Sequence, residues 1–232
     1  RENTLSFVGA LIILAFIFIA AFAPILAPYP EHAGKTTNIR NQLEAPSSEH
    51  LLGNDSLGTD ILSRIIFGAR ISLGAGSLAI GLALLLEVPL GAIAGTLGGY
   101  VDEAIMRVVD TFLSFPPLLL ALAVTAVLGP NLRNAVIAIA VAWWPWYTRI
   151  IRGDAVSVKE RPFVEAAKGI GESKLKIAFR HVLPNSITGV IVQSSMDFGS
   201  VVITLASLSF LGLGAQPPIP EWGRMISSSR TY

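Results

Sequence analysis

The chain has no cysteine among its 232 residues. That excludes disulfide frameworks, thiolate metal sites and cysteine nucleophiles, while leaving the redox compartment open. Charge is also scarce: 14% of residues are charged, against about 25% in an ordinary soluble domain. The 17 basic and 16 acidic residues nearly cancel, to +1, so no overall field attracts a polyanion and nucleic acid is not an expected partner. The three histidines, His32, His50 and His181, lie far apart without metal-ligand spacing, so neither a metal site nor a cofactor is expected. No serine sits in a Gly-x-Ser-x-Gly elbow. Internal repeats and low-complexity tracts are lacking as well, which argues against a solenoid.

What the chain has is apolar surface: 52% of residues are hydrophobic and the mean hydropathy is +0.62. Between Glu2 and Glu31 lie 28 uncharged residues. Within them Phe7–Leu26 is long enough to cross a ~30 Å hydrocarbon core, and too long for the ~7–15-residue apolar region of a cleaved signal peptide. Four further runs read as spans: Ile71–Tyr100, interrupted only by Glu87; Thr111–Pro130; Ala135–Ile151; and Ile187–Gly214, with the single charge Asp197. Trp143, Trp144, Trp146 and Tyr147 are expected at the headgroup level, where one ring edge is apolar and the other wet. The expected fold class is therefore an all-α polytopic membrane protein with five spans.

Cytoplasmic loops retain lysine and arginine. Arg152–His181 holds seven of the 17 basic residues, whereas Tyr29–Arg70 holds four basic and five acidic. Alternation then places the N-terminus, Val101–Asp110 and Arg152–His181 in the cytoplasm, with Tyr29–Arg70, Asn131–Asn134 and Gln216–Tyr232 outside. The expected divisions are an anchor (1–28), an external segment (29–70), a four-span core (71–215) containing a cytoplasmic loop (152–184), and an external tail (216–232).

The external segment contains Ala33-Gly34-Lys35-Thr36-Thr37, similar to the end of a phosphate-binding loop. Tyr29 stands where that loop needs its first glycine, and prolines lead in where it needs a strand; the motif is rejected. Thr59 or Asp60 is expected to cap a short helix on the outer surface, with Ile61, Leu62, Ile65 and Ile66 on one face. Val101–Asp110 reads as a polar bend. In the cytoplasmic loop, Pro162 marks a helix start, Gly169-Ile170-Gly171 a break, and Pro184 the end of a second short helix. Such a pair has little apolar surface of its own to bury. Either it docks on a partner or it is a solvated connection.

In the same loop Glu165-Ala166-Ala167, three residues, Gly171, nine residues and His181-Val182-Leu183-Pro184 resemble the EAA loop of binding-protein-dependent ABC-transporter permeases. His50-Leu51-Leu52-Gly53 through Arg70-Ile71-Ser72-Leu73, and Ser207–Gly214 through Pro220-Glu221-Trp222-Gly223, resemble the peptide and nickel branch of that family. Asn54, Thr59, Leu205 and Glu87 depart from the branch's usual residues. The resemblance implies a type I importer permease, a helical bundle that performs no ATP hydrolysis itself. It implies as partners a second, similar permease subunit, two cytosolic ATPase subunits, an extracytoplasmic solute-binding protein and the lipid of the inner membrane. Dipeptides, oligopeptides or nickel are the solutes it implies. It also implies that Glu165, Ala166, Ala167, Gly171, His181, Leu183 and Pro184 couple to the ATPase. The family's sixth span would follow Pro-Glu-Trp-Gly, and the chain reads as ending before it.

Ser186, Gly189, Gln193, Asp197, Ser200, Thr204 and Ser207 recur every three or four residues and share one helical face. A polar stripe on a membrane helix turns from lipid. It either lines a solute pathway or bonds between helices, and Asp197 favours the pathway, because a centred carboxylate costs ~2.5–3.5 kcal/mol. Glu87 poses the same choice, with a structural pair to Arg107 or Arg133 as its alternative. Gly91, Gly95 and Gly99 predict a close helix contact. A self-contained channel or ion-coupled carrier would call for inverted repeats, and none is visible; a scaffold that merely docks a partner is the third reading.

Overall fold

The computed structural model describes residues 4–34 and 36–231, so Lys35 of the rejected phosphate-loop string lies outside the described residues. Among the described residues there is no strand. The helices are α1 (Thr4–Ala21), α2 (Ala23–Leu26), α3 (Ile61–Leu97), α4 (Gly99–Leu113), α5 (Pro117–Leu128), α6 (Leu132–Val158), α7 (Pro162–Gly169), α8 (Lys174–Ile177), α9 (Leu183–Phe210) and α10 (Trp222–Ser229). A π-helical turn, Ala178–Val182, joins α8 to α9.

The expected five spans are not five uniform helices. By length and composition two helical stretches can cross a membrane alone, Ile61–Leu97 and Lys174–Phe210, and a third can if the bent pair α4 and α5 counts as one. The first expected span falls on α1, which is apolar all round, as a lipid-facing helix is, but only 18 residues long. The fourth falls on α6, where Arg149, Arg152 and Asp154 dilute the apolar run.

Two other expectations are corrected. Thr111–Pro130 is not one straight span: the chain turns by 88° between α4 and α5. Pro116 drives Phe115 out of helical backbone, and Pro117 then starts α5 at a position where a missing N–H costs nothing. Nor is Val101–Asp110 a bend, since it lies within α4. The actual break precedes it, at Gly98 and Gly99, with φ of 65° and 55°, a backbone region glycine enters without strain.

The short outer helix is absent as a separate element. Ile61 instead opens α3, whose 37 residues extend over about 55 Å at 1.5 Å per residue. Asp60 does cap it: its Oδ2 accepts the Ser63 N–H at 2.8 Å, while Oδ1 lies 3.0 Å from His50 Nδ1. Burial works against ionisation of Asp60, but the Ser63 and His50 hydrogen bonds outweigh it and hold the carboxyl below its ordinary value. A depressed carboxyl stabilises the fold above the unfolded aspartate range, near ~3.9, and that contribution is lost as pH falls through the folded value. Asp60→Ala is expected to cost about 1 kcal/mol, read as a lowered thermal midpoint of the detergent-solubilised chain at pH 7. The difference from wild type should shrink as the pH approaches 3.

The chain divides into two compact units. One comprises 1–76, 128–135 and 202–232. Within it the 29–70 segment and the tail interlock: Arg64 Nη2 donates to Pro218 O at 3.1 Å, and Trp222 Nε1 donates to Ile65 O at 3.1 Å. The buried Glu221 caps α10 by accepting from the Gly223 and Arg224 N–H groups. It also accepts a hydrogen bond from Ser72 Oγ at 3.3 Å.

The other unit comprises 77–127 and 136–201. Here α3 and α6 meet closely: a Cβ on Gly91 would lie 2.7 Å from Thr148 O, and one on Gly95 2.7 Å from Arg152 O. The expected glycine contact therefore holds for these two. It fails for Gly99, where an added Cβ would meet no other segment within 4 Å among the described residues and which is instead part of the turn into α4.

Candidate functional site

Two clusters within the second unit carry the sequence-predicted site residues except Thr204, which falls in the first. The first is the 152–184 loop. Pro162 at the start of α7 and a glycine at Gly171 with φ of 80° set up the turn between α7 and α8, and Ser173 caps α8 through the Lys176 N–H. The loop has more core of its own than composition suggests: Val164 and Ala167 pack with Ala155, Val158, Ile177 and Val182 in one buried cluster. The Glu-Ala-Ala string is thereby split. Ala167 is 4% exposed and faces that core, whereas Glu165 and Ala166 face outward. Beside them Phe163 and Ile170 remain 41% and 80% exposed.

Pro184 does not end a helix, as the sequence suggested. Helical backbone runs from Lys174 to Phe210, and the π turn just before Pro184 absorbs the missing donor. Side chains take up the loosened carbonyls: Asn185 Nδ2 donates to His181 O at 2.7 Å, and Ser186 Oγ donates to Val182 O at 2.9 Å. Leu183 packs beside the cluster of Ala92, Tyr147, Ile151 and Val190.

His181 is fixed by a residue that sequence reasoning missed. Its Nε2 lies 2.7 Å from Glu172 Oε2, and Lys176 Nζ lies 2.8 Å from Glu172 Oε1. The bonds from Lys176 and His181 hold the Glu172 carboxyl below the usual carboxylate range. Only the i, i+4 spacing of Glu172 and Lys176 signals this clasp in the sequence.

The second cluster is polar and lies on the apolar helices. Gln193 Nε2 donates to both carboxylate oxygens of Asp197, at 3.0 and 3.1 Å. Ser200 is exposed on the same helix, and Thr204, which belongs to the first unit, is buried. Glu87 is 0% exposed, and among the described residues neither of its oxygens has a hydrogen-bond partner. The alternative of a structural pair to Arg107 or Arg133 is not made among the described residues; Arg107 bonds Glu103 instead, at 3.4 Å.

Tyr147 belongs here too. Expected among the interfacial rings, it is instead fully buried and within electrostatic reach of both Asp197 and Glu87. The signal lay in its spacing: Tyr147, Ile151, Ala155 and Val158, all buried, recur every three or four residues and mark the inner face of α6.

Residues 87–231 match the family model described as binding-protein-dependent transport system inner membrane component. The chain belongs to that family. As a member of the binding-protein-dependent permeases, it is the permease component of an ABC importer. Residues 1–46 match the model of the N-terminal TM domain of oligopeptide transport permease C. The chain is 46% identical to the dipeptide transport system permease protein DppC of Alkalihalophilus pseudofirmus, over 100% of this chain and 75% of that one. It is 43% identical to the glutathione transport system permease protein GsiD of Pectobacterium atrosepticum, over 96% and 73%. Among solved structures it is similar to the MetNI methionine ABC transporter in an inward-facing conformation, with a TM-score of 0.56 and 17% identity over 66% of this chain and 76% of that one. That likeness is one of fold, the type I importer permease fold.

Proposed function

We propose that this permease conducts short peptides as one half of a pathway shared with a second, similar subunit. Two cytosolic ATPase subunits drive it, and an extracytoplasmic solute-binding protein delivers the solute. The observation that carries the coupling role is the two-sided α7. Val164 and Ala167 anchor its inner face, leaving Phe163, Ala166 and Ile170 as an apolar outer face beside Glu165. Exposed apolar side chains on a loop rich in lysine and arginine suit a protein groove better than water. Closure of the ATPase pair would then move this loop and, through the continuous helix from Lys174, the membrane segment that bears Asp197.

Peptide as the solute is supported by the relatives' names, which specify a dipeptide and glutathione, both short peptides. A cytoplasmic N-terminus in the inner membrane is supported by the basic loop.

Asp197, with Gln193, Ser200, Thr204 and Glu87, is the pathway's polar set. The test is ATP-driven dipeptide uptake by the complete complex in proteoliposomes. Asp197→Asn is expected to lower uptake by tenfold or more with ATPase association unchanged. Normal uptake with normal specificity would reduce Asp197 to interhelical packing, worth about 0.6 kcal/mol per hydrogen bond.

A further inference from the structure

We propose that Arg224, beside Arg64, forms a binding site for a carboxylate monoanion with an apolar tail, the C-terminal end of a short peptide. The inference rests on the peptide reading above and adds a recognition element to it. A cavity of about 110 Å³ opens in the first unit, where Asp55 and Leu57 face Ile219, Arg224 and Met225 across Arg64. The two arginines differ. Arg64 is committed: its Nε, though also outside hydrogen-bond geometry, is ion-paired to Asp55 Oδ2 at 3.2 Å, and its Nη groups donate to His32 O and Pro218 O.

Arg224 is uncommitted. Its backbone N–H is fixed by Glu221 at 2.9 Å, but among the described residues its guanidinium makes no ion pair, and its Nε is buried without an acceptor. A guanidinium stays charged and carries five donors in a planar fork shaped for a carboxylate. Leaving even that one donor buried and unmet is costly, and a charge-assisted bond to an anion on the guanidinium offsets that cost.

Charge and size define the ligand. Two arginines and one aspartate leave the lining at +1, which matches one carboxylate and is exceeded by a phosphate dianion. Leu57, Ile219 and Met225 supply an apolar wall for a side chain next to that carboxylate. The volume is well below the ~300 Å³ at which pockets begin to enclose whole small ligands. It therefore admits the end of a peptide and not the whole.

The experiment uses the complete permease–ATPase complex in lipid nanodiscs, without the solute-binding protein. Equilibrium dialysis compares alanyl-leucine, its C-terminal amide and butyrate. Alanyl-leucine should bind and be displaced by butyrate, and the amide should bind at least about tenfold more weakly, as loss of a charge-assisted bond implies. Arg224→Gln should abolish that difference by weakening only the acids, and Arg224→Lys should restore part of it. Equal binding of acid and amide to the wild-type complex overturns the site without recourse to any variant, as does an acid preference that survives Arg224→Gln. Uptake by the same complex in proteoliposomes separates the two readings. Peptide uptake without acid preference sinks the carboxylate site alone. Arg224-dependent butyrate binding without any ATP-driven peptide uptake keeps the site and sinks the peptide reading.

Discussion

Ala166→Asp and Ala167→Asp, one position apart, are expected to fail in opposite ways. Ala166 faces outward, so a carboxylate there stays hydrated and the loop keeps its fold. A carboxylate in a protein groove, however, must be desolvated, and the proposed ATPase contact should weaken by at least about tenfold, or 1.4 kcal/mol. Ala167 is enclosed by Ala155, Val158, Val164, Ile177 and Val182. An ionised carboxylate among those groups has no partner and costs several kcal/mol, a large part of a stability of about 5–15 kcal/mol. The loop should open, freeing the backbone at Lys168 and Lys174, whose side chains are already exposed, for cleavage by trypsin while the complex is still in the membrane. Two measurements decide this: co-purification of the ATPase with each variant, and tryptic cleavage of the loop. Full ATPase binding by Ala166→Asp would remove the outer face of α7 from the coupling contact. Protease resistance in Ala167→Asp would contradict the buried cluster.

That split also marks how far the sequence could be read. Composition was enough for an all-helical membrane chain, and Gly171 was enough for a turn, because both depend on local chemistry. The family resemblance singled out the Glu-Ala-Ala string but not which of its residues faces in, since three consecutive residues sweep more than half of a helical turn. The break at Ser114-Phe115-Pro116 was visible as a proline pair, yet the absence of charge over Thr111–Pro130 dominated the reading. Charge reports on the surroundings of a segment and proline on its backbone, and there the backbone decided the shape. The Glu172–His181–Lys176 clasp and the inward turn of Tyr147 depend on neighbours brought together by folding. The i, i+4 spacing of Glu172 and Lys176 was the clasp's only trace, and a periodic buried face on α6 was that of Tyr147. The carboxylate-sized cavity left less still, because its walls come from segments about 160 residues apart.

Gly95→Leu is the second substitution with a large expected effect, and it tests the close approach of α3 to α6 in the second unit. A Cβ at Gly95 would stand 2.6 Å from the Ala155 Cβ, 2.7 Å from Arg152 O and 3.2 Å from Val156 N. Two of those atoms are backbone and cannot rotate away, so α3 and α6 must move apart. Separation loosens the packing of Ala92 against Tyr147 and Ile151, and membrane helices have no hydrophobic effect between them to restore it; close packing is what holds them. Overpacking costs about 1–3 kcal/mol. With backbone on the facing side the upper end applies, equivalent to a loss of roughly 5–10 °C in thermal midpoint for a chain of this size. Gly81→Leu on the same helix is the control, because no atom lies within 4 Å of its would-be Cβ, and its midpoint should stay near wild type. Monitoring by size-exclusion retention after heating in detergent is enough to resolve them. Equal losses for both would mean that α3 tolerates bulk evenly along its length, and the close approach at Gly95 would then not hold the helices together.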